Sequence, residues 1–307
     1  MKKIIVTGSS GFIGSALCEH LMRKYELYAI DRVKGKLLPR VESYHQDIND
    51  DLPDIDDVYA VVHLAARPGV RNSHELFDEV CKDNILGTQR IIKKCIEDWH
   101  PEKILIASSS SVYGDRGRDR HALNEEEPVS PRSPYAMSKV ANESMITTYK
   151  NCHMLDGIQC ANLRFFTVYG ENQRNELAIR AFTDWIIRDQ PITLYGDGSQ
   201  IRDFTNIKDI CSGISSILDE SKFISRDIYN IGSGHTYSIN EIIHMISEYT
   251  GKNVTINYQP RNRYDVDATK ADISRMKSDF GWSPKIKFRD GLKQQVEWQM
   301  RKYEKER

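Results

Sequence analysis

The sequence contains 307 residues, about twice the length of a typical domain, so it encodes one large domain or two modest ones. Its 43 lysines and arginines nearly balance its 44 aspartates and glutamates, which gives a net charge of −1, and 39% of its residues are hydrophobic. These values exclude a disordered chain, an acidic tail and a basic coat that binds nucleic acid.

The N-terminal half of the chain alternates short apolar runs with amphipathic helical segments. Strands are predicted over 2–7, 26–31, 60–65, 103–107 and 159–165. Helices are predicted over 12–24, 75–97 and 134–154. This alternation is typical of an α/β fold in which helices cover both faces of a doubly wound parallel sheet.

The C-terminal part has shorter predicted strands, over 192–195 and 254–258, and a capping box at Ser238 and Glu241 that opens a helix to residue 249. We therefore expect a Rossmann-type domain over 1–166, rejoined by about 204–232. A smaller α/β lobe that binds substrate is expected from 167–203 and 233–307. The charged run 115–127 is interpreted as a solvated loop, in a position where a mobile lid is also possible.

A glycine motif, Gly8-Ser9-Ser10-Gly11-Phe12-Ile13-Gly14, lies between the first predicted strand and the first helix. In this context the glycines permit a tight turn, the approach of a pyrophosphate to the backbone, and close packing of helix on strand. The pyrophosphate would bind at the helix N-terminus. The alternative is a tight glycine turn without a ligand.

Two acidic residues that follow the first predicted helix indicate which dinucleotide binds. Asp31 ends the second strand 17 residues after Gly14, where a carboxylate accepts the ribose hydroxyls and repels a 2′-phosphate, which favours NAD. Arg32 beside it weakens that preference. Asp47, followed by Ile48, either accepts a hydrogen bond from the adenine amino group or is an ordinary turn aspartate.

A candidate catalytic pair opens the helix after Pro134. Tyr135 and Lys139 are four residues apart and so share one helix face. A free tyrosine has a pKa of about 10, and a neighbouring ammonium favours the phenolate, which then acts as a base nearer neutral pH. The motif is short, but it follows a dinucleotide-binding motif at a suitable distance.

A run of serines, Ser108 to Ser111, ends the strand predicted over 103–107. Ligands of open α/β sheets bind at this edge, so a hydroxyl here can bind a substrate oxygen and guide its proton to Tyr135. We expect Ser109 to have this role. Turn capping is the alternative for one or two of the serines.

Together these residues resemble the extended short-chain dehydrogenase/reductase family, within it the nucleotide-sugar epimerases and dehydratases, and most closely the UDP-glucuronate 4-epimerases. The resemblance covers nearly the whole chain. Besides the motifs above, the matching segments are His63-Leu64-Ala65-Ala66, Asn84-Ile85-Leu86-Gly87-Thr88, Leu163-Arg164-Phe165-Phe166-Thr167-Val168-Tyr169-Gly170, Gly196-Asp197-Gly198, Arg202-Asp203-Phe204-Thr205 and Gly281-Trp282-Ser283-Pro284.

The resemblance implies a tightly held NAD that is recycled in each turnover, with Tyr135 removing the proton of the sugar C4 hydroxyl. Further NAD contacts implied by position are Leu64, Ala65, Ala66, Asn84 and Ser108. The implied substrate contacts are Arg71, Ser109, Ser110, Ser111, Thr167, Arg174, Tyr195, Arg202 and Arg261, with Arg263 as an alternative to Arg261 at the diphosphate.

The same resemblance separates epimerase from dehydratase. Family 4,6-dehydratases carry Asp and Glu where this chain has Ser110 and Ser111, so elimination at C5 and C6 lacks its acid and base. We therefore expect 4-epimerisation through a 4-keto sugar. A dehydratase or a simple oxidoreductase is the alternative.

The sugar is indicated by Arg174, seven residues after Thr167, where the UDP-glucuronate 4-epimerases grip the sugar carboxylate. A guanidinium suits that task because it binds a carboxylate through two hydrogen bonds. This chain departs from the subgroup at Glu171 and Glu176, whose charges are unfavourable near such a pocket. A neutral sugar, as in UDP-glucose or UDP-N-acetylglucosamine, therefore stays open as an alternative.

Six scattered cysteines form no CxxC pair and no cluster with histidine, so we expect neither a metal site nor a disulfide framework, and a reducing, cytoplasmic location. No apolar segment is long enough to span a membrane. By the resemblance, we expect a homodimer formed through the helices predicted over 75–97 and 134–154.

Overall fold

The computed structural model describes residues 1–35, 38–116, 121–262 and 264–306. Seven strands form one parallel sheet in the order β10-β6-β5-β4-β1-β2-β3. They are β1 (Lys3–Thr7), β2 (Glu26–Asp31), β3 (Val41–His45), β4 (Val58–His63), β5 (Lys103–Ser109), β6 (Gln159–Phe165) and β10 (Ile228–Ile231).

Five further strands lie outside this sheet, in one sheet of three strands and one of two. They are β7 (Thr167–Tyr169), β8 (Ile192–Tyr195), β9 (Ile201–Asn206), β11 (Thr236–Ser238) and β12 (Ile256–Gln259). The orders are β11-β9-β7 and β12-β8.

The α-helices connect these strands. They are α1 (Phe12–Leu21), α2 (Phe77–Val80), α3 (Gly87–Lys94), α4 (Pro134–Asn151), α5 (Ala178–Ile187), α6 (Ile207–Ile217), α7 (Ile239–Thr250), α8 (Ser274–Phe280) and α9 (Phe288–Glu306). Two π-helical segments, Cys81–Leu86 and Cys95–Trp99, continue α2 and α3. In the described part of the chain, no helix has the length and apolar character needed to cross a membrane.

The predicted α/β pattern is confirmed, and three strands have the predicted bounds: 26–31, 159–165 and 192–195. The capping box at the start of α7 is also confirmed, because the Ser238 and Glu241 side chains each bind the other's backbone N–H. The first helix ends at Leu21, three residues before the predicted end.

Apolar side chains cover both faces of the seven-stranded sheet, since successive residues of a strand point to opposite faces. In β1, Ile4 and Val6 pack into the cluster with α1 and α6, while Ile5 packs into the cluster with α3 and α4. Burial on both faces explains why these strands are apolar throughout instead of alternating with polar residues.

A third apolar cluster, built mainly by α5, α7 and α9, forms a separate core beside the sheet. After α6 the chain returns to the large sheet, where β10 pairs with β6. The segment 271–282, which we had predicted in the smaller lobe, packs against the core of the large sheet. Met276 is fully buried in that core, and its helix α8 packs on α6 and β10.

The charged segment predicted as a solvated loop is anchored where the structure describes it. Leu123 is 2% and Glu125 is 7% exposed. The Leu123 N–H donates to the Lys270 carbonyl oxygen at 2.8 Å, and Glu125 accepts the Asn230 N–H at 2.8 Å. The interpretation as a solvated loop is therefore wrong for Leu123 and Glu125, because the charged run concealed one apolar and one paired side chain. Residues 117–120 lie outside the described residues.

Candidate active site

The glycine loop forms a close-packed turn between β1 and α1. Gly8 has a φ of +69°, and a Cβ there would lie 2.6 Å from the backbone nitrogen of Ala65. A Cβ on Gly14 would lie 2.1 Å from the Gly8 carbonyl oxygen. The helix begins at Phe12 and has no side-chain cap at its N-terminus, so its first N–H groups are not bound by a capping side chain and can accept an anion. A Cβ at Gly8 or Gly14 would thus fill space that the turn requires.

Asp31 holds its carboxylate beside this loop. One carboxylate oxygen accepts the Ser10 N–H at 2.9 Å, and the other accepts the Val33 N–H at 2.8 Å. A carboxylate has about four acceptor positions, so capacity for two ribose hydroxyls remains. The cradle and this acceptor fit the adenosine diphosphate half of a dinucleotide.

Arg32 forms ion pairs with two carboxylates. Its guanidinium lies 3.0 Å from Asp83 and 3.7 Å from Asp47. Partial burial acts to raise the pKa of Asp47, but hydrogen bonds from Asn49 and the charge of Arg32 lower it overall. Asp83, which sequence reasoning missed, also binds Arg67 at 2.9 Å. Asp83 directly precedes the predicted Asn84, and this adjacency is the one sequence signal that could have identified it.

The other predicted cofactor contacts surround the same edge of the sheet. Leu64 to Ala66 follow β4, and the Ala65 N–H donates to the Thr7 hydroxyl at 3.3 Å. Asn84 fixes this loop to α4, since its side chain accepts the Arg67 N–H at 2.6 Å and donates to the Ser138 hydroxyl at 3.0 Å. Ile48 is 7% exposed and packs in the core.

Tyr135 and Lys139 lie side by side in the first turns of α4, as their spacing predicts. Ser133 caps this helix by accepting the Ala136 N–H at 3.1 Å, which fixes where the first turn begins. The Lys139 ammonium lies 5.8 Å from the centre of the Tyr135 ring and donates to the Ala107 carbonyl oxygen at 2.8 Å.

Burial and nearby charges act on both members of this pair. Burial lowers the pKa of Lys139 to about 8, and Glu143 acts in the opposite direction. Burial raises the pKa of Tyr135, whereas a hydrogen bond with Ser109 and the positive charge of Arg174 act to lower it. Two predicted site residues from different parts of the sequence therefore act on the phenol, Ser109 through a hydrogen bond and Arg174 through its charge.

The serine run divides into two environments. Ser109 ends β5, and its oxygen accepts the Ser111 N–H at 3.2 Å and the Ser111 hydroxyl at 2.9 Å. Ser110 and Ser111, the two serines that replace the dehydratase carboxylates, open the short 3-10 helix that directly follows β5. The Ser108 hydroxyl instead donates to Glu143 at 2.6 Å.

Arginines from three segments gather beside residues 265–267. Arg71 binds the Asp265 carboxylate at 3.0 Å and lies 4.8 Å from the centre of the Tyr195 ring. Arg261 binds Asp267 at 2.6 Å. Arg202 donates to the Ile201 carbonyl oxygen at 2.8 Å, and its burial lowers its pKa. Arg263, the alternative diphosphate ligand, lies outside the described residues.

Two predicted sugar contacts lie on the segment that leaves the large sheet. Thr167 begins β7 and pairs with Phe204 of β9. Arg174 follows β7, and besides acting on Tyr135 it forms an ion pair with Glu176 at 3.2 Å. Among the described residues, no group of three or more His, Cys, Asp or Glu is placed to hold a metal ion.

A family model described as GDP-mannose 4,6 dehydratase matches residues 5–295. The chain belongs to this family. A UDP-glucuronate 4-epimerase of Thermodesulfobacterium geofontis is 34% identical, over 96% of this chain and 95% of that protein. An uncharacterized UDP-glucose epimerase, YtcB of Bacillus subtilis, is 33% identical over 96% of both chains.

Solved structures of similar proteins agree with this family assignment. UDP-glucuronic acid 4-epimerase from Bacillus cereus, in complex with UDP-glucuronic acid and NAD, superposes with a TM-score of 0.89 at 32% identity. The match covers 98% of this chain and 99% of the other. The predicted resemblance and the Rossmann-type fold are thereby confirmed.

Proposed function

We propose that the protein is an NAD-dependent nucleotide-sugar 4-epimerase that interconverts UDP-glucuronate and UDP-galacturonate. The observation that carries this proposal is the place of Arg174, whose charge reaches the phenol of Tyr135 from another segment of the chain. A sugar whose C4 hydroxyl meets Tyr135 would bring its C5 carboxylate close to that guanidinium. Relatives named UDP-glucuronate 4-epimerase support the same substrate.

NAD would lie along the edge of the seven-stranded sheet, in the domain proposed for residues 1–166. When bound, it supplies a reversible hydride acceptor for the sugar C4. The residues that would hold it are Gly8, Gly11, Phe12, Ile13, Gly14, Asp31, Arg32, Asp47, Ile48, Leu64, Ala65, Ala66, Asn84, Ser108, Tyr135 and Lys139.

The chain's own residues would handle the proton. Tyr135 takes the proton of the C4 hydroxyl and later returns one to C4 oxygen, while Ser109 orients that oxygen by hydrogen bonding. Lys139 favours the phenolate by its charge. Ser110, Ser111 and Thr167 would bind the sugar, and the arginines at 71, 202 and 261 the diphosphate, with Tyr195 beside them.

Loss of water from the sugar is not expected. Elimination at C5 and C6 requires an acid and a base, and the serine hydroxyls at 110 and 111 are poor proton donors and acceptors at neutral pH. The 4-keto sugar would therefore persist until it is reduced on its other face, which yields the epimer.

The direct test is to incubate the purified protein with a panel of UDP-sugars and to identify the products by chromatography and mass spectrometry. We expect UDP-glucuronate and UDP-galacturonate to interconvert without added NAD and without a change in mass. A product lighter by one water, or NADH released in stoichiometric amount, would instead identify a dehydratase or an oxidoreductase.

A neutral UDP-sugar is a second candidate substrate, because Glu176 competes for the Arg174 guanidinium at 3.2 Å. Arg174→Ala should lower kcat/KM for UDP-glucuronate by roughly 10- to 100-fold, the effect of losing one charge-assisted contact. Turnover of UDP-glucose should change far less. Glu176→Gln is the matched control, since it frees the guanidinium and should preserve or raise activity with the acid sugar. An equal loss on both sugars would assign Arg174 another role.

We also propose a homodimer formed through the α2–α3 region and α4. Large apolar side chains are exposed in that region, with Phe77 at 46% and Leu86 at 57% exposure. Light scattering at micromolar concentration should give twice the chain mass, and Leu86→Arg should halve it. Phe223→Arg, at a 69% exposed residue elsewhere, should leave the dimer intact. A monomeric wild-type protein would refute this assembly.

The six cysteines are all free thiols, which supports the proposed cytoplasmic location, where thiols stay reduced. We interpret the chain as two lobes. The large sheet with its helices would bind NAD, and the core of α5, α7 and α9 would bind the nucleotide sugar.

A further inference from the structure

A buried chain of charges continues from the catalytic pair into the protein. Tyr135, Lys139 and Glu143 occur at successive turns of one face of α4. Glu143 is 6% exposed, and both its oxygens bind the guanidinium of Arg164 on β6, at 2.9 Å from Nε and 2.7 Å from Nη2. Ser108 donates a third hydrogen bond to the same carboxylate at 2.6 Å.

This buried chain of charges contains two cations and one anion. Lys139 is 3% and Arg164 is 2% exposed, and a buried charge is costly unless it is compensated. The ammonium of Lys139 donates to the neutral Ala107 carbonyl, so its compensation by charge must come from Glu143. Glu143 therefore compensates two cations. It binds Arg164 directly, and Lys139 lies one helical turn away.

We propose that Glu143 is a positioning residue for the reaction, which keeps Lys139 charged beneath Tyr135, and that Arg164 sets how strongly its carboxylate acts on Lys139. This inference rests on the proposed function only in the roles of Tyr135 and Lys139. It does not depend on which sugar is the substrate.

The other groups that face Lys139 do not replace Glu143. His63 on β4 is fully enclosed, and burial together with the charge of Lys139 lowers its pKa to about 3, so it is neutral. Its ring nitrogens bind the hydroxyls of Thr7 at 2.7 Å and Thr88 at 3.0 Å. Tyr135, the remaining titratable neighbour on α4, is a neutral phenol until it gives up its proton.

The direction in which each substitution should shift the pKa of Lys139 follows from these charges. In Glu143→Gln the anion is lost and two buried cations repel each other, so the pKa of Lys139 should fall from about 8. In Arg164→Met the carboxylate loses its direct partner and acts fully on Lys139, whose pKa should rise. If Glu143 and Arg164 only stabilised the fold, the two substitutions would not shift the pKa of Lys139 in opposite directions.

The test is an NMR titration of the holoenzyme labelled with ¹³C at lysine Cε, in which Lys139→Met identifies the Lys139 signal. We expect Glu143→Gln to lower the titration midpoint by about one pH unit and Arg164→Met to raise it by a similar amount. The alkaline limb of the epimerase pH profile should move in the same directions. Glu143→Asp, which keeps the charge, should restore both the midpoint and the profile.

Midpoints that do not move, or that move the same way in both variants, would overturn the proposal. Should Glu143→Gln fail to fold, Ser108→Ala provides the milder test, because it removes one hydrogen bond from the carboxylate and should raise the midpoint slightly. A lowered midpoint in that variant would contradict the inference. Because the titration needs no sugar, it can fail or succeed independently of the proposed epimerase activity.

Discussion

Replacing Tyr135 by Phe should lower kcat roughly a thousandfold, which is the usual contribution of a positioned general acid–base group. The substitution removes only the hydroxyl, whose predicted partner in proton transfer is the sugar C4 oxygen. Without it, the nearest protein hydroxyl is that of Ser109, which hydrogen-bonds the phenol in the wild type and is a far weaker base.

The fold of this variant should be intact. The ring keeps its place in the first turn of α4, and Ser133 still caps the helix. We therefore expect an unchanged thermal midpoint and unchanged retention of NAD, measured by releasing the nucleotide with acid and recording its absorbance. Ser109→Ala serves as the graded comparison and should reduce kcat less. Full activity of Tyr135→Phe would exclude the mechanism.

Gly14→Ala should remove most of the co-purifying NAD and destabilise the fold. The added methyl group would lie 2.1 Å from the Gly8 carbonyl oxygen and 2.8 Å from the Ser9 Cα, both parts of the turn that approaches the cofactor. Relief of this overlap requires α1 to move away from β1. We expect a loss of about 3 kcal/mol, as for overpacking in a rigid site.

Gly11→Ala is the graded comparison within the same loop. A Cβ there would lie 3.2 Å from the Gly8 carbonyl oxygen, a contact that a small backbone adjustment can relieve. Its NAD content should fall less than that of Gly14→Ala, measured as moles of nucleotide per mole of protein, with thermal unfolding recorded in parallel. If Gly14→Ala retained full NAD, the turn would not be the cradle that we describe.

Features set by local spacing could be predicted from the sequence. The turn between β1 and α1, the carboxylate of Asp31 at the end of β2, and the pair on α4 all depend on residues close together in the chain. Their geometry follows from the strand–turn–helix order and from the 3.6-residue helical period, which carry over directly from sequence to structure.

Contacts between distant segments could not be predicted. The Ser108 hydroxyl donates to Glu143, 35 residues later, and Arg71 binds Asp265, which is 194 residues away. A buried carboxylate such as Asp83 or Glu143 looks like any surface acid in a helical sequence, because its partner is supplied by another element. Only the packing of strands and helices shows which charges are paired.

The interleaving of the two cores has a mechanical consequence for turnover. After β6 the chain passes to the smaller core, returns for α6 and β10, leaves again, returns for α8, and leaves for α9. Five chain connections between the two cores resist their twisting and sliding far more than a single linker would. Wide opening is thereby restricted, so the 4-keto sugar has to turn over within a nearly fixed frame. Admission of UDP-sugar would then depend on surface contacts such as that of Arg71 with Asp265 and the stacking of His74 on Tyr264.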